Sequence, residues 1–255
     1  MAEGVARDRR IHDRDWLAAH LGEERRRSDL LAEIREAIFG AQDGIVSILT
    51  VVSTLGGATS DNHLVLLGGI ATTVAEVFSM AAGEYMGSKS QHEVFEAQIE
   101  AEREEVRDRP DEAKAEVAFM LEREGLDSAS ARRAADDIAS NPEVLLRTMV
   151  EKELGLSAES DVKPIRGAVI LSGALAIAAL IPLVPYMFFS ARAALVISIV
   201  ASGIALFALG VVKSRWTRGN PIRAGLEIVS LAAIAGVGGY LVGTLLPELV
   251  ESIRP

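Results

Sequence analysis

Long runs of apolar and small residues constrain this chain more than any other feature of its sequence. Each run is about 20 residues or longer, the length of a membrane-spanning helix that rises about 1.5 Å per residue. Helices in soluble cores rarely stay free of charge on all sides for that distance. We therefore predict an all-α integral membrane protein with five transmembrane helices. The predicted spans are residues 38–57, 64–87, 167–188, 192–212 and 224–246.

Charge and apolarity are segregated along the 255 residues. The chain is 49% hydrophobic and yet 24% charged, with a net charge of −10. A segment between spans 2 and 3 carries 11 Lys and Arg against 20 Asp and Glu, so nearly all of the net charge lies there. This pattern predicts a helical cytoplasmic insert between spans 2 and 3. The predicted organisation is an N-terminal arm with an amphipathic helix at 1–37, transmembrane helices 1 and 2 at 38–88, the acidic insert at 89–165, transmembrane helices 3 to 5 at 166–247, and a tail at 248–255.

Helix start and stop signals divide the insert. Pro110 suits the first position of a helix, Gly125 suits the position after a helix end, and Ser128 is a candidate N-cap. Asn141-Pro142 is a further start signal. We expect helices near residues 88–108, 110–124, 129–139 and 142–154.

The basic residues predict how the chain is oriented in the membrane. Eight Arg precede span 1, whereas the loop "ATSDNH" that follows it has no Lys or Arg. Four basic residues lie in the loop after span 4, and only one lies in the C-terminal tail. Because cytoplasmic loops are enriched in Lys and Arg, the N-terminus is expected in the cytoplasm and the C-terminus outside. The Ala- and Arg-rich composition favours a bacterial plasma membrane.

Several classes of function are disfavoured by the composition. The chain has no Cys, which excludes disulfides and thiolate metal sites. The acidic insert would repel phosphate, so no nucleic-acid partner is expected. A ferritin-like di-iron centre needs Glu-x-x-His motifs, but the insert has only His92, and Lys89 stands three residues before it. We do not expect an enzyme.

Spans 1 and 2 carry acidic residues away from their ends. Asp43, Ser47, Thr50 and Thr54 fall on one face of span 1, with Glu36 two turns before Asp43. On span 2, Glu76, Met80 and Glu84 fall on one face. A carboxylate in hydrocarbon costs several kcal/mol or more, and such residues commonly mark ion pathways.

This combination of carboxylates and a thioether has a chemical meaning. Carboxylates bind hard divalent cations, and a thioether adds preference for softer first-row ions such as Fe²⁺. Carboxylates can also exchange a proton for a metal ion. The structural alternatives are core packing for Met80, an interfacial position for Glu84, and helix–helix contacts for the hydroxyl residues of span 1.

Two motifs resemble the vacuolar iron transporter family. They are "GAQDGIVS" in span 1, which contains Asp43, and "SMAAGE" in span 2, which contains Met80. Five spans and an insert between spans 2 and 3 also resemble that family, over about residues 33–247. The resemblance, which fits a prokaryotic member, implies a proton-coupled exporter of Fe²⁺, and also of Mn²⁺, from the cytoplasm. It implies a homodimer whose interface contains the path, with metal as cargo, protons as counter-ion and no permanently bound cofactor.

The resemblance also implies a metal-binding site in the insert. Its ligands would be Glu102, Glu105, Glu116, Met149 and Glu153. The sequence departs from the family at position 113, which is Ala where another Glu is expected, and Glu112 beside it is the candidate substitute. Glu76 is a second departure, in a stretch where the family has small residues. Two alternative functions are a passive divalent-cation channel and a membrane-anchored iron-binding protein.

Overall fold

The computed structural model describes residues 13–155 and 164–253, and side chains up to residue 245. These residues contain helices and no strand. The helices are α1 Arg14–Ala58, α2 Asn62–Asp108, α3 Pro110–Arg123, α4 Ser128–Ala139, α5 Pro142–Lys152, α6 Pro164–Leu183, α7 Pro185–Phe188, α8 Ala191–Thr217 and α9 Pro221–Ile253. Five of them (α1, α2, α6, α8 and α9) are long and apolar enough to cross a membrane. The predicted all-α membrane protein with five spans is therefore confirmed.

The helices form two compact units. One contains the residues up to Glu84 together with those from Ile165 onward, and the other is Tyr85–Pro164. The first holds the five apolar helices and is called here the membrane unit. The second is called the soluble unit. Residues 1–12 of the predicted arm, 156–163 of the predicted insert and 254–255 of the predicted tail lie outside the described residues.

Two of the predicted spans belong to longer helices. The predicted amphipathic helix of the arm and span 1 form one helix, which begins after Asp13, whose carboxylate accepts the N–H groups of Asp15 and Trp16. Span 2 and the first helix predicted in the insert are likewise one helix, α2. No proline interrupts either transition, so a change from apolar to charged side chains does not end a helix whose backbone bonds continue.

Span 3, predicted as a single helix over 167–188, is broken near its end. Helix α6 stops at Leu183 and the short α7 begins at Pro185, because proline lacks an N–H and crowds the preceding turn. The side chain of Asn62 donates hydrogen bonds to the carbonyl oxygens of Tyr186 and Phe189, at 3.1 and 2.7 Å. The start of α2 thereby satisfies backbone carbonyls that the break leaves free.

Helix α1 lies at the centre of the membrane unit. Its buried residues Ile45, Ile48 and Val52 pack in two apolar clusters with residues of the other four membrane helices. Gly40 and Gly44 on α1 face backbone carbonyls of α6 at Leu171 and Leu175, where a Cβ would clash. The G-x-x-x-G spacing in this apolar helix thus permits close packing within one chain.

Two hydroxyl residues near the C-terminal end of α1 also lie at a close helix–helix contact. Thr50 and Thr54 donate to the carbonyl oxygens one turn earlier, at 2.8 Å each. Gly239 and Gly243 of α9 lie directly against the backbone of the same two threonines. For Thr50 and Thr54 the structure therefore favours a role in helix–helix contact over a role in lining an ion path.

The soluble unit is a small helical bundle. Its core contains Val106 from α2, Val117 from α3 and Leu145 from α5. Gly125, after α3, has φ +109°, a conformation suited to glycine. Asn141 caps α5 ahead of Pro142, as the start signal indicates. The prediction of Ser128 as a cap is wrong. The N-cap of α4 is Asp127, whose carboxylate accepts the N–H groups of Ala129 and Ser130.

Candidate metal sites

A tight turn between α2 and α3 creates the acidic site of the soluble unit. Helix α2 ends before Pro110, which cannot donate a backbone hydrogen bond and disfavours helix at the residue before it. The carbonyl oxygen of Arg109 accepts the N–H groups of Glu112 and Ala113, at 3.0 and 3.1 Å. Arg109 is thus the single residue between the end of α2 and the start of α3.

Three carboxylates from the two helices converge beside this turn. Glu105 of α2 and Glu112 and Glu116 of α3 each offer an oxygen, and these atoms all lie within 4.8 Å of one another. Glu105 and Glu116 are half-buried, whereas Glu112 is exposed. Oxygen ligands at such separations suit a divalent cation such as Mn²⁺ or Fe²⁺. We call these three residues, together with Glu102, the carboxylate cluster.

Glu102 is the most buried member of the carboxylate cluster. It is 9% exposed, and its Oε2 atom has no hydrogen-bond partner among the described residues. An unsatisfied buried acceptor costs about 1–3 kcal/mol, and more if charged. Burial raises the pKa of Glu102 above its usual value, and the neighbouring carboxylates of Glu153, Glu105 and Glu116 raise it further. A bound cation would satisfy this atom.

Glu116 has a similar electrostatic environment. Burial raises its pKa, as do the carboxylates of Glu105, Glu153 and Glu112, while the Arg109 guanidinium opposes the shift. Glu153 therefore interacts electrostatically with both Glu102 and Glu116, although its own side chain is exposed just beyond α5. The structure thus brings the predicted Glu ligands into one electrostatic group.

The other two ligand predictions concern Met149 and the replacement at position 113. Met149 is fully buried in the core of the soluble unit, one helical turn before Glu153. Ala113 is also fully buried in that core. Glu112, next to it, reaches the other carboxylates from the exposed side of α3. Adjacent residues on a helix point in directions about 100° apart, so Glu112 does not point where a side chain at position 113 would. It nevertheless belongs to the cluster.

Sequence reasoning missed one residue of this site, Arg109. Its guanidinium donates to Glu105 Oε2 at 3.2 Å and to Glu112 Oε2 at 2.8 Å. It is thus a built-in cation that bridges two of the candidate metal ligands. The sequence shows a basic residue directly before Pro110 between two acidic helix ends, but it does not show which carboxylates that residue contacts.

The membrane unit places a second set of polar residues between α1 and α2. Ser47 of α1 donates a hydrogen bond of 2.7 Å to Glu76 Oε2 of α2. Asp43, one turn before Ser47, is close enough to Glu76 for their carboxylates to interact electrostatically. Asp43, Ser47 and Glu76 are all half-buried. Met80, also half-buried, follows Glu76 by one turn on α2.

Two further acidic residues of the predicted path lie toward one end of these helices. Glu84 follows Met80 by one turn, and its carboxylate lies against Gly167 at the start of α6. Glu36, two turns before Asp43, forms a 2.7 Å ion pair with Arg35. Asp43 and Ser47 thus occupy successive turns of α1, as do Glu76, Met80 and Glu84 of α2, while Glu36 lies two turns before Asp43. The Ser47–Glu76 hydrogen bond joins the two helices.

Comparison with known protein families matches residues 34–244 to the VIT family. The chain belongs to the VIT family. This VIT-family chain is 30% identical over 208 residues to a protein of Oryza sativa subsp. japonica named vacuolar iron transporter 1, covering 81% of the chain and 82% of that relative. A relative of the same name from Arabidopsis thaliana is also 30% identical, over 81% of the chain and 83% of its own length.

A more distant relative extends the same similarity. The vacuolar iron transporter of Plasmodium falciparum (isolate 3D7) is 28% identical over 228 residues, covering 86% of the chain and 84% of the relative. The resemblance to the vacuolar iron transporter family is thereby confirmed. These relatives are named as transporters, which agrees with the expectation that the chain is not an enzyme.

Proposed function

We propose that this protein is a proton-coupled transporter that exports Fe²⁺, and also Mn²⁺, from the cytoplasm. The observation that carries the proposal is the pair of intramembrane carboxylates, Asp43 and Glu76, on α1 and α2. The two spans that hold them contain no Lys or Arg. Acidic residues in a membrane without a basic partner in the same spans are best explained by a cation that passes them. The name that these relatives share, vacuolar iron transporter 1, supports iron as the cargo.

The two polar sites have different roles in this proposal. The carboxylate cluster of the soluble unit, with Glu153 and the Met149 thioether, binds the ion from the cytoplasm. Asp43 and Met80 replace water around the ion inside the membrane, where a carboxylate supplies charge and an oxygen ligand together. When the ion leaves, protons neutralise the carboxylates. Proton binding and metal binding then exclude each other, which is the basis of exchange.

The orientation follows from the distribution of basic residues. The N-terminus and the soluble unit face the cytoplasm, the C-terminus is outside, and the membrane is a bacterial plasma membrane. Transport toward the far side is then export. Uptake of Fe²⁺ or Mn²⁺ by proteoliposomes, followed with an entrapped metal-sensitive dye, tests the proposal. Protein-dependent uptake above that of empty vesicles supports it, and uptake no faster than in empty vesicles contradicts it.

We propose that the transporter is a homodimer. Within the chain α2 is the least covered of the five membrane helices, with 11% of its apolar window buried. Its residues Glu76, Met80 and Glu84 are nevertheless polar or ligating, and such residues rarely face lipid. A second copy across α2 would complete the path. We expect chemical cross-linking in native membranes to give a dimer band, whereas a monomer band alone would contradict this proposal.

Arg109 is expected to weaken metal binding by the carboxylate cluster. Its guanidinium occupies oxygens of Glu105 and Glu112 that the ion would use. Replacing Arg109 with Gln should therefore tighten Mn²⁺ binding by roughly tenfold, about the net value of a charge-assisted hydrogen bond. The measurement is calorimetric titration of the full-length protein in detergent with Mn²⁺.

A matched control for Arg109 separates this local effect from overall charge. Arg107→Gln removes the same charge two residues away, from a side chain that pairs with Asp108 outside the cluster. It should tighten Mn²⁺ binding much less than Arg109→Gln. Equal effects of the two substitutions would mean that the bridge itself does not matter.

Metal binding by the soluble unit should depend on pH. The pKa values of Glu102 and Glu116 are raised, so these groups hold protons at a higher pH than ordinary Glu, whose pKa is about 4.3. Mn²⁺ must displace those protons, and its affinity should fall as the pH is lowered from 7 toward 5. Calorimetry in buffers of different ionisation enthalpy should detect proton release on Mn²⁺ binding at about pH 5.5 and little at pH 8. No proton release at the lower pH would contradict the prediction.

A further inference from the structure

A cleft at one edge of the membrane unit has no role in the proposed transport. It has a volume of about 410 Å³ and lies between α1 and the end of α8. Its apolar wall is formed by Leu31, Ile34, Ile38, Phe39 and Trp216, and its polar groups belong to Arg35, Gln42, Lys213 and Thr217. Two of the apolar side chains, Phe39 and Trp216, remain 54% and 46% exposed. The cleft is therefore open and amphipathic.

The position of the cleft is fixed by the sequence. The uncharged run of α8 ends at Val212, and Lys213 is the first charge after it. On α1, the adjacent pair Arg35 and Glu36 holds the last charges before the apolar run that contains Asp43. Both helices thus cross from hydrocarbon to headgroup region at the height of the cleft. Tryptophan is enriched at this level of a membrane, which agrees with the location of Trp216.

The charge of the cleft is positive at its polar end. Arg35 is neutralised by its 2.7 Å ion pair with Glu36. Lys213 is exposed and forms no ion pair within the described part of the chain. Arg215 lies near the end of α8, Arg218 in the loop that follows and Arg223 near the start of α9, so the surroundings are also basic. An ammonium beside an apolar wall at the membrane boundary complements a phosphate that carries acyl chains.

We propose that this cleft binds an anionic phospholipid, with its phosphate at Lys213 and an acyl chain along Phe39 and Trp216. The occupant is a lipid and not a soluble phosphate, because most of the lining is apolar. Basic pockets between membrane helices are suited to such headgroups. The site does not rest on metal transport. It lies on the helix that carries Asp43, and Gln42 of its lining is the residue before it.

The test uses Trp216 as a local probe. The chain has two tryptophans, so Trp16→Phe leaves Trp216 alone. The full-length variant is reconstituted in two equal mixtures of phosphatidylglycerol and phosphatidylcholine. In the first mixture phosphatidylglycerol is brominated, and in the second phosphatidylcholine is brominated. A brominated lipid quenches tryptophan fluorescence on contact. Brominated phosphatidylglycerol should quench Trp216 more than brominated phosphatidylcholine does. The difference should correspond to a roughly fivefold preference of the cleft for phosphatidylglycerol, as expected for one Lys at the headgroup level.

Two substitutions in the Trp16→Phe background separate the cleft from the general basic surface. Lys213→Gln should remove most of the preference for phosphatidylglycerol. Arg215→Gln removes the same charge from the same helix at a residue outside the cleft lining and should retain the preference. Equal quenching by the two lipids before any further substitution would overturn the proposal, and so would equal losses in the two variants. If a second copy of the protein covers the cleft instead, the two lipids should quench Trp216 equally.

Discussion

Asp43→Asn is expected to abolish metal transport while Mn²⁺ binding by the carboxylate cluster remains unchanged. Asn keeps the shape of the side chain, but it cannot supply charge to a divalent ion that has left water, and it cannot exchange a proton. Asp43 forms no ion pair and accepts no hydrogen bond within the described part of the chain that would give its charge a structural role. The measurements are proteoliposome uptake of Mn²⁺ and calorimetric titration of the same preparation.

The control for Asp43 is a carboxylate outside the proposed path. Glu227 is exposed near the start of α9, and Glu227→Gln removes the same charge from the membrane unit. This variant should transport normally. Size-exclusion chromatography must show that both variants fold and assemble like the unmodified protein. Full transport by folded Asp43→Asn would assign the residue a structural role and contradict the proposed path.

The second large effect is expected at Glu102. Replacing it with Gln keeps its volume and removes the most buried charge of the cluster. Mn²⁺ affinity should fall by roughly tenfold to a hundredfold, which corresponds to about 1.5–3 kcal/mol for a contact to a charged group. The same change removes repulsion from Glu105, Glu116 and Glu153. Thermal unfolding of the metal-free protein at pH 8 should therefore occur at a higher temperature.

A loss of Mn²⁺ affinity together with a gain in thermal stability distinguishes a metal ligand from a residue that only packs. A residue that only packs would lower stability when replaced and leave metal affinity almost unchanged. The control is Glu100→Gln on the same helix, where the exposed carboxylate pairs with Arg103 at 3.2 Å. It should change neither quantity appreciably. Unchanged Mn²⁺ affinity in Glu102→Gln would remove Glu102 from the ligand set.

The membrane helices could be predicted from sequence because their signal is local. An uncharged apolar run of sufficient length has few alternatives to a transmembrane helix. The helix bounds were less predictable. Backbone hydrogen bonding continues through the change from apolar to charged residues in α1 and α2, whereas Pro185 ends α6 inside an apolar run. The pattern of side chains identifies the membrane segment but not the residues at which its helix starts and stops.

The partners of polar side chains were not predictable from helical spacing alone. Ser47, Thr50 and Thr54 share one face of α1, but Ser47 bonds to Glu76 of α2 whereas the two threonines meet glycines of α9. Spacing gives the direction of a side chain and not the neighbour it meets. The same reason explains why Arg109 was missed, since its bridge depends on how the α2–α3 turn folds.

The most direct test of proton-coupled transport is uphill movement of metal driven by a pH gradient. Proteoliposomes are loaded with Mn²⁺ at the concentration present outside, and the interior is made acidic relative to the exterior. A proton-coupled antiporter should move Mn²⁺ into the acidic lumen above the outside concentration, and collapse of the gradient with a protonophore should release the excess. Equal final concentrations on both sides, with or without the gradient, would indicate a passive channel and contradict proton coupling.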